Sequence, residues 1–278
     1  LNEVQCIESV NLYPVENLNA AVRHLSGQLT IDPPQPVAYS ALLSRREALE
    51  DFKHVKGQSS AKRALGIAAA GGHNVLMIGP PGSGKTMMAR CLPGILPDMT
   101  LDEALEVTRI HSAAGTLAAG SGLMLERPFR APHHTVSAVA LVGGGSKARP
   151  GEISLAHGGV LFLDELPEYN RSSLEALRQP LEDGVITISR SGGTVTYPAS
   201  FMLCASMNPC PCGYLGDPTH ECKCTEVQIQ KYQKKLSGPL FDRIDMNIVV
   251  EKVDNADLLK PMADTDEEHT VVKNNITD

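Results

Sequence analysis

The sequence predicts an α/β fold built on a parallel β-sheet. Short apolar runs alternate with helical stretches from residue 51 onwards, a pattern typical of strands buried on both faces of a parallel sheet. The four runs cover residues 74–78, 159–163, 201–205 and 246–250. Three of them end on groups suited to binding phosphate, and ligand-binding residues collect at the carboxyl ends of parallel strands. A phosphate site is therefore expected at that edge of the sheet.

Length and composition exclude several classes of protein. The chain has 278 residues, of which 42% are hydrophobic and 21% charged, values that argue against a disordered or collagen-like chain. Its apolar runs are far shorter than the roughly 20 residues that span a bilayer, and residues 1–30 lack a basic segment followed by an apolar block. We expect no membrane partner and a cytoplasmic location.

The net charge of −7 is concentrated at one end of the chain. Residues 251–278 carry eight acidic and three basic side chains, a net charge of −5, which leaves −2 for residues 1–250. The acidic balance therefore does not decide whether a nucleic acid is a partner.

Three segments are expected along the chain. In residues 1–45, a short helix following Asn17 and Asn19 precedes a Pro-rich stretch at 32–36 that cannot continue a helix. So short a segment cannot bury its own core, which makes it the expected C-terminal remnant of a larger N-terminal domain, with a linker. Residues 46–255 form the expected core, and residues 256–278 an acidic tail.

The most specific motif follows the first apolar run and precedes a helix that starts near Met87. It fits the phosphate-binding pattern G-x-x-x-x-G-K-[ST], whose glycines let backbone N–H groups turn towards phosphate oxygens. Lys85 is expected to reach the β- and γ-phosphates of ATP, and the Thr86 hydroxyl to bind Mg²⁺. The motif, called the phosphate loop below, consists of Gly79, Pro80, Pro81, Gly82, Ser83, Gly84, Lys85 and Thr86.

Polar side chains after the second and third runs complete a hydrolytic site. Asp164 can hold Mg²⁺ at the end of a buried strand, and Glu165 can orient and activate the attacking water. Asn208 can bridge the γ-phosphate and that water. The alternatives are a solvated strand end for the acidic pair and an ordinary turn asparagine before Pro209.

Several segments together resemble AAA+ ATPases, and more narrowly the magnesium-chelatase-like YifB/ComM family. The segments that carry the AAA+ resemblance are residues 51–58, the loop GPPGSGKT at 79–86, LFLDEL at 161–166, ASMNPCPCG at 205–213 and LFDRID at 240–245. RPFRAPHH at 127–134 and PGEISLAHGG at 150–159 are characteristic of the narrower group. The resemblance covers about residues 1–255.

This resemblance implies a P-loop NTPase core of the AAA+ type, with a helix-2 insert and a pre-sensor β-hairpin. It also implies a ring, usually a hexamer, with ATP at the subunit interfaces. Arg243 would be the arginine finger that reaches a neighbour's γ-phosphate; the alternative is a surface arginine paired with Asp242 or Asp245. The residues expected to border the adenine are Val55, Gly57 and Gln58.

The family also has a helical lid that carries a second, nucleotide-sensing arginine. After Val253 this sequence contains no arginine, and residues 256–278 match at most the start of a truncated lid. We therefore expect the chain to bind ATP and to hydrolyse it slowly.

Basic residues at 127–151, with the triple glycine at 143–145, predict a loop that contacts the DNA backbone. A basic surface facing another subunit or the nucleotide is an equal alternative. Residues 185–190 and 194–197 alternate between apolar and polar side chains around a Gly-rich turn, a pattern that predicts the pre-sensor β-hairpin. The alternative is a hairpin with a purely structural role. The candidate DNA contacts are Arg127, Arg130, Lys147, Arg149 and Arg190.

Four of the seven cysteines lie within fifteen residues and predict a structural Zn²⁺ site outside the phosphate chemistry. The paired spacing is tighter than the usual zinc motif, so His220 is an alternative ligand, and reduced thiols or disulfides are alternatives to the metal. The predicted ligands are Cys210, Cys212, Cys222 and Cys224.

The resulting hypothesis is a Mg²⁺-dependent AAA+ ATPase motor of the YifB/ComM type. The resemblance favours DNA as its substrate, with branch migration or helicase action in recombination during natural transformation. The alternatives are the motor subunit of a magnesium chelatase, which drives metal insertion into a porphyrin, and an ATP-gated assembly switch without useful turnover.

Overall fold

The structure, a computed structural model, describes residues 6–7, 10–44, 50–118, 121–145, 148–190, 193–217 and 219–253. The chain divides into two compact units, one formed by residues 1–47 and 99–126 and the other by residues 48–98 and 127–278. The expected boundary between residues 45 and 46 and the acidic tail at 256–278 lie outside the described residues.

The helices are short, and several are single turns. They are α1 (Leu18–Leu25), α2 (Tyr39–Leu43), α3 (Ser59–Gly71), α4 (Lys85–Ile95), α5 (Leu101–Ala114), α6 (Ala138–Val142), α7 (Glu152–Leu155), α8 (Arg171–Glu175), α9 (Arg178–Asp183), α10 (Glu226–Gln233) and α11 (Gly238–Phe241). The strands are β1 (Val75–Ile78), β2 (Phe129–Arg130), β3 (Gly143–Gly144), β4 (Arg149–Pro150), β5 (Val160–Leu163), β6 (Val185–Arg190), β7 (Gly193–Pro198), β8 (Met202–Met207) and β9 (Met246–Val249).

The first unit contains α1, α2 and α5. The helix expected after Asn17 is α1, and the Asn17 side chain caps it by accepting a hydrogen bond from the Ala20 N–H at 2.9 Å. At the start of α5, Thr100 and Glu103 form a capping box, in which each side chain accepts a hydrogen bond from the other's backbone N–H. Side-chain caps therefore set where these two helices begin.

The second unit is built on a five-stranded sheet in the order β2-β5-β8-β1-β9. All neighbouring strands in it are parallel, which confirms the predicted α/β fold. The four apolar runs form β1, β5, β8 and β9, and the structure adds the two-residue edge strand β2. The phosphate loop follows the last residue of β1.

Helices and loops cover both faces of this sheet. Alternate residues of a strand point to opposite faces, so Val75 and Met77 belong to one apolar cluster and Leu76 to another. The first cluster takes in Leu65 of α3 and Leu92 of α4. The second is formed with α6 to α9 and with the β6–β7 hairpin. Burial on both faces explains why these strands read as continuous apolar runs.

The predicted β-hairpin is formed by β6 and β7, which pair antiparallel from Val185–Pro198 to Arg190–Gly193. Ile186 and Ile188 are 3% and 4% exposed and join the second apolar cluster. Their inward-facing side chains anchor the hairpin to the core. The turn residues 191 and 192 lie outside the described residues.

In the part of the chain that the structure describes, no helix combines the length and apolar character needed to cross a bilayer.

Candidate active site

The phosphate loop is fixed where it leaves β1. The Gly79 N–H donates to the Met207 carbonyl of β8 at 3.2 Å. On its other side, a Cβ at Gly79 would lie 2.1 Å from the Val250 carbonyl oxygen, so no larger residue fits between these neighbours. Gly84 then takes a left-handed φ of 89° and starts α4 at Lys85. The loop therefore has the strand–loop–helix setting that its motif requires.

Lys85 lies inside the loop rather than on the surface, and the residue is only 8% exposed. Its Nζ donates to the carbonyl oxygens of Gly79 and Pro80, each at 2.8 Å. Burial lowers the pKa of Lys85, and the negative charges of Asp164 and Glu165 oppose that shift. The loop thus encloses a cation beside two carboxylates.

Thr86 and Asp164 meet at the carboxyl edge of the sheet. The Thr86 hydroxyl donates to Asp164 Oδ2 at 3.0 Å, although 78 positions separate the two residues. The Ser206 hydroxyl, on β8, donates to the other oxygen, Oδ1. A hydroxyl and a carboxylate are hard oxygen donors of the kind that Mg²⁺ prefers, so these residues fit that ion.

Glu165 follows directly and takes a left-handed conformation, with φ at 53°. This conformation is uncommon for a residue other than glycine and is often found at functional sites. The Glu165 side chain is 53% exposed, and its Oε2 lies 3.4 Å from His134 Nδ1. Both residues line a cavity of about 390 Å³, together with Thr86 and Asp164. The cavity leaves room for a ligand in front of the carboxylates.

Asn208 and Arg243 lie at opposite ends of the parallel strands, Asn208 at the carboxyl ends and Arg243 near the amino ends. Asn208 is the residue after β8, at the edge that holds the phosphate loop. Arg243 precedes β9, whose first residue, Met246, pairs with Val75 at the start of β1. The Arg243 guanidinium donates to Glu182, not to the neighbouring aspartates named as its alternative partners. Arg243 therefore points away from the site of its own chain.

Of the residues expected around the adenine, Gln58 contacts the phosphate loop. Gln58 Nε2 donates to the Ser83 carbonyl at 3.2 Å and to the Glu251 carbonyl at 2.6 Å. Gly57 and Gln58 line a cavity of about 360 Å³. Val55 is buried in the apolar core.

Comparison with known proteins agrees with this geometry. The family model of magnesium chelatase, subunit ChlI, matches residues 51–258. The chain belongs to this family of AAA+ ATPases. It is 45% identical to YifB of Escherichia coli and 47% identical to the competence protein ComM of Haemophilus influenzae. Each match covers 90% of this chain and 48% of the relative. A Mycobacterium tuberculosis protein is 51% identical over 74% of this chain and 41% of its own length. The chain thus spans about half the length, or less, of these curated relatives.

The four predicted cysteine ligands come together in this family member. Their sulfur atoms all lie within 4.8 Å of one another, and we call the group Cys210, Cys212, Cys222 and Cys224 the cysteine knuckle. Three Sγ–Sγ distances are 3.4, 3.6 and 3.7 Å. A tetrahedral zinc with Zn–S bonds of about 2.3 Å needs sulfurs about 3.8 Å apart, so the spacing is compatible with zinc.

The thiols of the cysteine knuckle differ in how readily they ionise. A hydrogen bond with the Tyr214 backbone is the main cause that lowers the pKa of Cys212 to about 6, which favours the thiolate that binds zinc. Desolvation and hydrogen bonds with the neighbouring thiols raise the pKa of Cys222 and of Cys224. His220 is outside the sulfur group; its Nδ1 lies 2.9 Å from the Thr219 hydroxyl, and its ring stacks on Tyr214. The structure thus gathers four thiols and leaves the alternative ligand aside.

The candidate DNA contacts fall into two groups. Arg127 donates to the Pro97 and Gly158 carbonyls at 2.6 and 2.7 Å, and Arg130 makes a two-pronged pair with Glu152. These two arginines brace the fold. Arg149 is exposed, whereas Lys147 and the side chain of Arg190 lie outside the described residues.

Two residues at this site were not predicted from the sequence: Ser206, which donates to Asp164, and His134, which faces Glu165. Ser206 directly follows the apolar run at 201–205, and its contact with Asp164 depends on strand register. His134 belongs to the RAPHH segment, but only the fold brings it to a carboxylate 31 positions away.

Proposed function

We propose that this chain binds ATP with Mg²⁺ and hydrolyses it. The observation that carries the proposal is the contact of Thr86 with Asp164 at 3.0 Å, beside the enclosed Lys85 and the exposed Glu165. These residues bring a phosphate-binding cation, a pair of Mg²⁺ ligands and a general base to one edge of the sheet.

Each residue has a distinct role in this proposal. Glu165 orients a water and accepts its proton as the water oxygen bonds to the γ-phosphorus; the bond to the bridging oxygen breaks, and ADP leaves. Lys85 draws negative charge from the β- and γ-phosphates, and Asn208 holds the γ-phosphate and the water. Thr86 and Asp164 would hold Mg²⁺, which supplies further positive charge at the phosphates.

Glu165→Gln tests the hydrolytic assignment. The amide cannot accept the proton, so we expect ATP binding to persist while hydrolysis falls on the order of 100-fold or more. Glu168→Gln is the control, because Glu168 lies three positions away and pairs with Lys235 at 3.0 Å. Steady-state phosphate release and binding of a fluorescent ATP analogue provide the two measurements. Hydrolysis that survives in Glu165→Gln would move the base elsewhere.

The position of Arg243 supports assembly into a ring. Its side chain lies at the sheet edge remote from the phosphate loop of its own chain, so it can contact a γ-phosphate only across a subunit interface. A guanidinium there would offset the charge that develops on the transferred phosphoryl group. We propose a closed ring, a hexamer by family resemblance, with six equivalent head-to-tail interfaces.

DNA is the proposed substrate of the motor, with branch migration as its action. The likeness to a competence protein over 90% of this chain supports it. Exposed Arg149 offers a backbone contact on the β3–β4 ribbon, which packs on the β6–β7 hairpin through a 3.0 Å hydrogen bond from the Tyr197 hydroxyl to the Ala148 carbonyl.

Hydrolysis measured with branched, single-stranded and duplex DNA tests this step. A DNA motor should be stimulated, and most strongly by the DNA structure it acts on. A magnesium chelatase motor or an assembly switch should not respond. Equal rates with and without all three DNAs would reject DNA as substrate while leaving the ATPase assignment intact.

We also propose that the cysteine knuckle binds a structural Zn²⁺. Four thiols in tetrahedral spacing form a closed set with no open position for chemistry. Metal content after purification without added zinc tests this proposal, and a content near zero with four titratable thiols would reject it.

A further inference from the structure

The turn of the cysteine knuckle lies directly against the phosphate loop. Gly213, which follows Cys212, takes a left-handed φ of 85°. A Cβ at Gly213 would lie 2.7 Å from Cδ and 2.8 Å from Cγ of Pro81, closer than such atoms can approach. The Gly213 N–H donates to the Cys210 carbonyl at 3.0 Å and thereby fixes the turn. The backbone at Gly213, between Cys212 and Cys222 in the chain, thus packs directly against Pro81 of the phosphate loop.

Asn208 is connected to the cysteine knuckle in two ways, through the chain to Cys210 and through helix α10, which follows Cys224. Cys210, which is completely buried, comes two positions after Asn208. The second thiol pair, Cys222 and Cys224, leads directly into α10. On that helix, Tyr232 is buried, and its hydroxyl is near enough to the Asn208 backbone that this group partly offsets the rise in the Tyr232 pKa that burial causes. Asn208 therefore lies between the end of β8 and the segment that carries the cysteine knuckle, in which the first and the second cysteine pair come together.

We propose, building on the ATP binding proposed above, that the cysteine knuckle is a positioning element of the phosphate site. A zinc-class metal held by its four thiolates fixes Asn208 and the Gly213 backbone that packs against Pro81, and so sets the affinity of the phosphate loop for nucleotide. Loss of the metal frees the four cysteines from one another, and the phosphate loop and Asn208 lose their common support. The knuckle thus couples metal occupancy to nucleotide binding, in addition to stabilising its own segment.

Two glycines in successive turns of this segment provide a matched pair of variants. Gly216 also has a left-handed φ, at 80°, but a Cβ there would meet no atom within 4 Å. Alanine therefore introduces similar backbone strain at Gly213 and Gly216, but it collides with Pro81 only at Gly213. We expect Gly213→Ala to weaken binding of a fluorescent, non-hydrolysable ATP analogue about tenfold. Gly216→Ala should stay within about twofold of the unmodified chain.

Metal occupancy is tested in the unmodified chain and in Cys222→Ser. Removal of the metal with a zinc chelator should weaken analogue binding about fivefold or more, and added zinc should restore it. Cys222→Ser should bind weakly with or without zinc. Metal content, the midpoint of thermal unfolding and analogue affinity are measured on every sample, so that a variant that fails to fold is recognised and the unmodified chain decides.

The outcomes separate the two proposals. If the unmodified chain does not bind the analogue, the proposed ATP binding fails. If it binds the analogue, and neither metal removal nor Gly213→Ala changes the affinity, the positioning role is overturned and ATP binding stands. The positioning role is also overturned if the unmodified chain holds no metal and binds the analogue as tightly as it does after zinc is added.

Discussion

Both carboxylate oxygens of Asp164 accept hydrogen bonds from hydroxyl groups on neighbouring elements. Thr86 donates to Oδ2 from the start of α4, and Ser206 donates to Oδ1 from β8. Ser206 is 1% exposed, so its hydroxyl has no solvent alternative. The carboxylate is thus oriented by residues on two different elements, an arrangement that often tunes the metal affinity of a site.

Ser206→Ala should therefore weaken Mg²⁺ binding more than it affects the fold. We expect the Mg²⁺ concentration for half-maximal hydrolysis to rise about tenfold, since loss of a group that orients a metal ligand commonly costs 10–100-fold in affinity. Ser154→Ala is the control, because Ser154 is also buried and its Oγ has no partner among the described residues. A Mg²⁺ titration compares the two, and equal curves would contradict this role of Ser206.

Lys85 predicts how nucleotide affinity depends on pH. Burial lowers its pKa below the ordinary lysine value of about 10.4. Phosphates bind the protonated amine, so affinity should be complete below this lowered pKa and fall as the pH rises through it. Lys85→Arg is the control, since arginine stays charged throughout the range. Binding measured from neutral pH to about 10 should fall more steeply for Lys85 than for Arg; parallel curves would assign the pH dependence to another group.

At the scale of elements, the sequence predicted the strands better than it predicted their arrangement. Buried parallel strands are apolar throughout, so β1, β5, β8 and β9 were visible as runs. The edge strand β2 has only two residues, Phe129 and Arg130, too few for any periodicity.

The candidate site was predictable wherever a motif fixes its chemistry. Residues 79–86 and Asp164–Glu165 belong to such motifs, and their spacing along the chain pointed to one site. Contacts that depend on register were not predictable. Leu163 pairs with Ala205, which puts the next residues, Asp164 and Ser206, side by side, and no local pattern contains that pairing. The contact of Gly213 with Pro81 likewise joins segments 132 positions apart and arises only from the fold.

At the scale of the whole molecule, the arginine finger proposed at Arg243 predicts that one chain is not active alone. Its pairing with Glu182 joins side chains that are 42% and 43% exposed, and exposed pairs contribute little stability. The γ-phosphate of ATP bound to a neighbouring subunit could therefore replace Glu182 as the partner of Arg243 at a small cost in free energy. Arg243 lies near the start of β9 and the phosphate loop follows the end of β1, so an arginine finger at Arg243 would make each catalytic site depend on two subunits.

Mixing two inactive variants tests this arrangement. Lys85→Ala disables the phosphate site and keeps the finger, whereas Arg243→Ala keeps the site and removes the finger. If Arg243 acts on the site of a neighbouring subunit, each variant alone should be inactive. In an equal mixture, about one interface in four should combine an intact phosphate site with an intact Arg243, and activity should return to that extent. Phosphate release is measured against the mixing ratio, with Glu182→Gln as the control because it frees Arg243 without removing it. A mixture as inactive as its components would contradict the shared site. Hydrolysis by Arg243→Ala alone would show that the arginine is dispensable.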